Sequence, residues 1–443
     1  ADCFELYYRP RNMLTARCVQ LAIPRAHFSA LETQKLRQDR WPRSAGREHS
    51  SFRVTGSAIA GVAASAVAVA RRRRKKSRAC LGLRRAVSSA SEELELPELA
   101  VGTWAWGNRL LWQYSPDMDE DLRRSFDLCV DRGAFMFDTG DTYGTGDLDC
   151  RSEKLLGEFS KTLSSSSLPW PFPQKRLVLA TKWAPQPWRL TRESLVEACR
   201  ASVERMGRVD LGQLHWPPAF FHEAQLLDGL GDVYEQGLVR GIGLSNYGPV
   251  GLRRVVSRLR ERGVPVATAQ VQFSLLTESN DELVATCQDL GVRPIAYSPL
   301  CLGLLSGKYG EGSELPPPPR GWLFGSLLGN KELQNLLSLL GDIGQVRGKS
   351  VAQVAINWCV CKGAIPLVGM KNAKQAAENL GAIGWRLSDS EVSDLDAAAK
   401  RAPRTQPNPA SADFTPWPPF CLLSDGRLLL LLLSCTFASL TFQ

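Results

Sequence analysis

The chain has 443 residues, 44% of them apolar, enough to bury a sizeable core in one large α/β domain or several average ones. Its net charge of +9 is confined to one end: residues 1–90 carry 19 Lys and Arg against 5 Asp and Glu, and the remainder carries 35 against 40. The body is therefore mildly acidic, and charge gives no support for a nucleic-acid partner. Twelve Cys are scattered singly apart from the pair Cys359 and Cys361, and none has zinc-ligand spacing. Only His215 and His222 lie in the body, so no metal site is expected and reduced thiols are the default.

Residues 1–92 read as a targeting leader, rich in Arg, Ser and Ala and poor in acids. Thr55 to Ala70 is a small-residue apolar run, followed by Arg71-Arg72-Arg73-Arg74-Lys75-Lys76. That order resembles a secretory-type signal ahead of a transit peptide, a bipartite leader suited to a plastid bounded by extra membranes. A membrane anchor with a polybasic flank is the alternative, although the run falls short of a typical span of about 20 residues.

The body, residues 93–403, alternates short apolar runs with amphipathic helical patterns. Strands are expected at Leu99–Trp106, Phe135–Thr139, Leu177–Trp183, Leu211–Trp216, Val239–Asn246, Ala269–Leu275, Arg293–Pro299 and Ala364–Gly369. Helices are expected between them, as at Glu120–Asp131, Glu193–Met206, Ala224–Gln236 and Pro249–Arg262. Such alternation predicts an α/β fold, a single (β/α)8 TIM barrel. An open doubly wound sheet would want a Gly-x-Gly-x-x-Gly turn after an early strand, and none is present. Glu311 to Phe324, with four consecutive Pro, reads as an irregular loop after the seventh strand, either a lid over the rim or a disordered insertion. Residues 404–443 form a Pro-rich and then Leu-rich tail: a tail anchor, a packed extension or non-native coding sequence.

Chemistry concentrates where strands end. Asp138 closes the second strand and Tyr143 follows in its loop; Lys182 ends the third, and His215 the fourth. In a parallel barrel those positions form the functional rim. A phenol with an ordinary pKa near 10 gives up a proton more readily beside an ammonium, and a carboxylate keeps that ammonium charged and oriented. A neutral imidazole can hydrogen-bond a substrate oxygen. The set suits protonation of an oxyanion as hydride arrives at its carbon. Alone, each group has an ordinary structural reading, Lys182 as a solvated strand end and His215 as a core histidine.

Asp138-x4-Tyr143, Lys182 and His215 resemble the catalytic tetrad of the aldo-keto reductases. Ser152-Glu153-Lys154-Leu155-Leu156-Gly157, Gly243-Leu244-Ser245-Asn246, Tyr297-Ser298-Pro299-Leu300 and Gly381-Ala382-Ile383-Gly384-Trp385 add to the likeness, which spans about Leu99 to Ala399. The resemblance implies Tyr143 as general acid, its pKa depressed by Lys182 and Asp138, with His215 orienting the carbonyl. It implies NADPH as cofactor: Ser245, Asn246 and Gln270 on the carboxamide, Tyr297 on the nicotinamide ring, and Ser298, Leu300 and Gly369 alongside. Lys371, with Lys374, would meet the 2′-phosphate, and Gln375, Glu378 and Asn379 the adenine end. Gly140 stands where the family more often has Ala, which loosens the turn before Tyr143. Trp104, Trp106 and Trp216 are expected around the mouth, where aromatic walls suit a flat heteroaromatic aldehyde such as pyridoxal; core packing is the alternative for them. The implied activity is carbonyl reduction of a small-molecule aldehyde in a plastid, with no stable membrane partner for the barrel. Broad aldehyde detoxification, or a cofactor-sensing regulatory subunit, is the alternative.

Overall fold

The strands are held by a parity rule that carries through to the chemistry. In the computed structural model, which describes residues 94–163, 177–218, 220–277, 280–310 and 312–405, eight strands close a barrel in sequence order. They are β1 (Ala100–Gly102), β2 (Met136–Asp138), β3 (Val178–Trp183), β4 (Leu211–Leu214), β5 (Gly241–Ser245), β6 (Val266–Gln272), β7 (Arg293–Tyr297) and β8 (Ile365–Gly369). Each pairs in parallel with the next, and β8 returns to β1 through Val101 opposite Val368. The leader at 1–92 and the tail from 406 onward lie outside the described residues.

Side chains alternate across each strand. On β3, Val178 and Ala180 join the small interior cluster with Met136, Leu211, Ile295 and Ile365. Leu179 and Trp183 instead join the large shell between barrel and helices. Thr181 shares that outward face, its hydroxyl donating to Glu153 at 2.6 Å, and Trp183 donates to Ser202 at 3.0 Å. Lys182 has the inward parity of Val178 and Ala180, and Asp138 that of Met136. The pleat alone therefore brings both onto the barrel axis above the apolar plug.

Helices cover the outside. Arg192–Met206 opens on a capping box between Thr191 and Ser194, and Val351–Cys361 on one between Ser350 and Gln353. Arg151–Lys161 crosses Arg192–Met206 at Gly157, where an added Cβ would lie 2.2 Å from the Arg205 carbonyl oxygen. The Ser152-to-Gly157 motif is thus partly a packing device.

The expected strands all form, with altered ends. Leu99–Trp106 shortens to Ala100–Gly102 because Thr103 donates to the Asp138 carbonyl and Trp106 turns back onto Thr103. The sixth strand starts earlier, at Val266, since the Val-Ala-Thr stretch extends the ladder opposite Ile242. The loop expected through Phe324 stops at Pro319, the N-cap of the helix Arg320–Leu327. Proline excludes a helix interior and is tolerated at its start, so the Pro run delimits this helix instead of preventing it.

The packing at Gly157 makes a stability prediction. Gly157→Ala should cost about 1–3 kcal/mol through forced separation of two helices, seen as a lower denaturation midpoint. An unchanged midpoint would contradict the close contact.

Candidate active site

A fully buried ion pair lies at the centre of the rim. Lys182 Nζ contacts Asp138 Oδ1, both side chains being 1% exposed, and also donates to the Thr139 carbonyl at 2.5 Å. Asp138 Oδ2 accepts from Gln213 Nε2 at 2.6 Å and from Gln270 Nε2 at 3.2 Å. A buried pair repays its desolvation only when remaining lone pairs and protons are also satisfied, and both carboxylate oxygens here are. Gly243 makes room for this: a Cβ there would lie 2.7 Å from Gln213 Cγ. Gln213 was not evident from the sequence, although it sits two residues before His215 and shares its parity.

Tyr143 approaches the pair from the loop after β2. Lys182 Nζ lies 4.9 Å from its ring centroid, and its ring meets the His215 imidazole edge to face at 5.9 Å. The loop is fixed from behind by hydroxyls: Thr139 donates to Ser152 at 2.8 Å, and Ser152 Oγ lies 2.7 Å from Thr103 Oγ1. At Gly140 a Cβ would stand 3.0 Å from Tyr143 Cε1, so the absent methyl lets the phenol lie against its own turn. The tetrad expected from Asp138, Tyr143, Lys182 and His215 is brought together.

Its electrostatics differ from expectation in one respect. Burial drives the Tyr143 phenol above its ordinary value; Lys182 offsets only part of this, and Asp138 adds to it. The expected depression is not present, and Tyr143 stays protonated at neutral pH. Burial also opposes charge on Lys182, but Asp138 and then Tyr143 outweigh it and raise its pKa. Burial, then Lys182 and Arg189, hold His215 well below its usual range, so the imidazole is neutral as anticipated. Asp141, paired with Arg189, is raised to about 6 chiefly by burial.

Asp138, Tyr143 and His215 line a cavity of about 1060 Å³, and Lys182 lies beneath them, outside its lining. That lies at the upper end of the range for small-molecule and cofactor sites, roughly 300–1,000 Å³. Ser245, Asn246, Gln270, Tyr297, Ser298 and Leu300 line one side. Asn246 donates to the His215 carbonyl at 2.9 Å and accepts from the Tyr297 hydroxyl at 2.9 Å. Gly369, Lys371, Gln375, Glu378 and Asn379 line the far end, where Gln375 Oε1 accepts from the Lys371 amide at 2.9 Å. Lys308 and Arg320 join Lys371 there, and no carboxylate is among the groups acting on Arg320 or Lys371. Half-buried Arg320 and Lys371 with exposed Lys308 at one end, and side-chain amides at the other, fit a phosphorylated dinucleotide. Lys374 does not belong to this set; it is exposed, on the outer face of the helix Ala373–Leu380.

Trp104 and Trp216 line the mouth as expected. Trp106 does not: it is fully buried, packs on Phe159 at 5.7 Å and donates its indole N–H to the Met370 carbonyl at 3.1 Å. Trp112 and the 70%-exposed Trp188 take the wall instead. Arg320 and Leu323 also line it, so the segment after β7 does reach over the rim.

The comparisons with known proteins agree with this geometry. The model of the Aldo/keto reductase family matches residues 98–400, and the chain belongs to that family and is an oxidoreductase. It is 47% identical over 319 residues to pyridoxal reductase, chloroplastic, of Arabidopsis thaliana, covering 70% of this chain and 86% of that one. Identity to L-glyceraldehyde 3-phosphate reductase of Escherichia coli (strain K12) is 29% over 330 residues, with 68% and 89% covered. Among solved structures, the glycerol dehydrogenase AKR11B4 from Gluconobacter oxydans superposes with a TM-score of 0.60 at 23% identity, covering 70% of this chain and 94% of that one. That likeness speaks for the barrel alone.

Removing half of the buried pair is the sharpest test of the site's architecture. Lys182→Met should destabilise the barrel by roughly 3–5 kcal/mol because Asp138 is left charged and unpaired. The Lys182 pKa is raised, so its contribution is complete at neutral pH and is lost only as pH rises through the folded value. Equal stability of the variant and the parent at neutral pH would contradict the pairing.

Proposed function

We propose that the protein is an NADPH-dependent aldehyde reductase that converts pyridoxal to pyridoxine, a step of vitamin B6 salvage. The observation that carries the chemistry is a protonated Tyr143 phenol beside the buried Lys182–Asp138 pair. The substrate rests on the 47% identity to a pyridoxal reductase and on aromatic walls at Trp104 and Trp216 that suit a flat ring.

Ser245, Asn246 and Gln270 would hold the carboxamide of NADPH, Tyr297 would face its ring, and Lys371 would hold its 2′-phosphate. Bound there, the nicotinamide supplies hydride to the carbonyl carbon. Neutral His215 orients the carbonyl oxygen by hydrogen bonding. The Tyr143 hydroxyl donates its proton to that oxygen as negative charge develops, completing the alcohol. The phenolate left behind is stabilised by the Lys182 ammonium, which Asp138 keeps charged and fixed. Gln270 serves twice, since its Nε2 holds Asp138 and its Oε1 remains for the cofactor.

Residence in a plastid is part of the proposal. It is supported by the Arg- and Ser-rich leader and by a relative whose name is chloroplastic. Among the described residues, no helix is long and apolar enough to cross a membrane.

Tyr143→Phe should lower kcat for pyridoxal reduction by about 10²–10⁴ while NADPH titrates the variant with nearly the parent affinity. A variant that still reduces pyridoxal at the parent rate would refute the assignment of the acid. The pH profile gives an independent check. Tyr143 and Lys182 lie above their ordinary values and His215 well below its own. None of the three changes charge near neutrality, so kcat/KM for reduction should be level from about pH 7 to about pH 9. A decline centred within that range would contradict a protonated donor.

A further inference from the structure

The loops after β1 and β7 meet over the phosphate end of the cavity at a contact the chemistry leaves unused. Trp112, in the short helix Arg109–Trp112, presents its indole to the Arg320 guanidinium, whose Cζ lies 4.5 Å from the ring centroid. Lys371 Nζ lies 5.8 Å from the same ring. Two cations therefore converge on one aromatic group, and no carboxylate is among the groups acting on either. Like charges brought together without an anion repel, and burial penalises both further.

The choice of an aromatic partner has a chemical consequence. A guanidinium held by an aromatic ring keeps N–H groups available that a carboxylate would occupy. Arg320 donates one edge nitrogen to the Leu302 carbonyl at 3.2 Å and pairs with the Tyr309 hydroxyl, while its buried Nε has no hydrogen-bond partner among the described residues. A carboxylate in place of Trp112 would bind the cation through those same N–H groups and repel an arriving phosphate. The indole quadrupole attracts cations without placing a negative charge in the site.

We propose that Trp112 is a positioning residue for the cofactor's 2′-phosphate, holding Arg320 so that its edge N–H groups and the Lys371 ammonium converge on one dianion. This rests on the NADPH reading above. Trp112 acts through Arg320 and needs no contact with the phosphate itself. It also contributes to the choice of NADPH over NADH, because only NADPH carries the group that the two cations share.

The test is calorimetric titration of the whole protein with NADPH and with NADH, on the parent, Trp112→Leu, Trp112→Phe, Arg320→Leu and the Trp112→Leu/Arg320→Leu double variant. Trp112→Leu should raise Kd for NADPH roughly three- to tenfold and move Kd for NADH by less than about twofold. Trp112→Phe should recover most of the loss, and the double variant should bind NADPH no more weakly than Arg320→Leu alone. An NADPH-to-NADH preference unchanged by Trp112→Leu, or losses that simply add in the double variant, would overturn the proposal. A parent protein that binds NADH as tightly as NADPH would instead remove the cofactor reading beneath it.

Discussion

The site depends on one constraint, the placement of an ammonium and a carboxylate where no water reaches them. Lys182 and Asp138 are each 1% exposed, and an ion pair at that depth survives only if its geometry is tight and all its hydrogen-bonding capacity is used. Barrel registration supplies the geometry: Asp138 lies opposite Ala180 and Lys182 opposite Gln213 in a ladder with little freedom to slip. Gln213, Gln270 and the Thr139 carbonyl supply the remaining partners. Gly243 leaves the space that Gln213 and Thr268 fill. Five strands and one loop thus serve two charges, and this explains why motifs far apart in the chain belong to one device.

That burial has a second effect, on the acid. The low-polarity surroundings that force the pair together also disfavour a charged phenol, and they outweigh the pull of Lys182 on Tyr143. The resting site therefore holds a protonated phenol, the group that the proposed mechanism uses as donor. In the proposed mechanism Lys182 would matter most after transfer, when a phenolate would stand beside an ammonium that Asp138 holds in place. His215, kept neutral by the same burial and by two nearby cations, can hydrogen-bond a carbonyl without competing as an acid. Exclusion of water sets the protonation of Tyr143 and His215, whereas Lys182 keeps its charge against burial through Asp138 and Tyr143.

Much of this was legible in the sequence because strand ends and loop residues are marked locally. Asp138, Lys182 and His215 each close an apolar run, and Tyr143 follows a Gly-Asp break, so their shared rim follows from the (β/α)8 pattern. Inside and outside were not legible in the first loop: Trp104 and Trp106 differ by two residues, and the turn at Thr103 sends one to the mouth and the other into the core. Gln213 was hidden because its role depends on a carboxylate 75 positions earlier. Trp112 and Arg320 meet only through tertiary folding of two loops, and the Pro run before Arg320 masked the helix it begins. The direction of the Tyr143 shift was missed because neighbouring charges can be listed from sequence, whereas burial must be seen.

The walls of the cavity leave substrate choice to the mouth, where Trp104, Trp188 and Trp216 offer flat faces that many aromatic aldehydes would satisfy. Membership of the reductase family and the tetrad geometry account for carbonyl reduction, and the preference for pyridoxal is the added claim. The most direct measurement is NADPH oxidation by the full chain with pyridoxal beside a panel of aromatic and aliphatic aldehydes. The account predicts kcat/KM for pyridoxal at least about tenfold above every other member. A flat profile across the panel would contradict the vitamin B6 assignment and reduce the protein to a general aldehyde reductase.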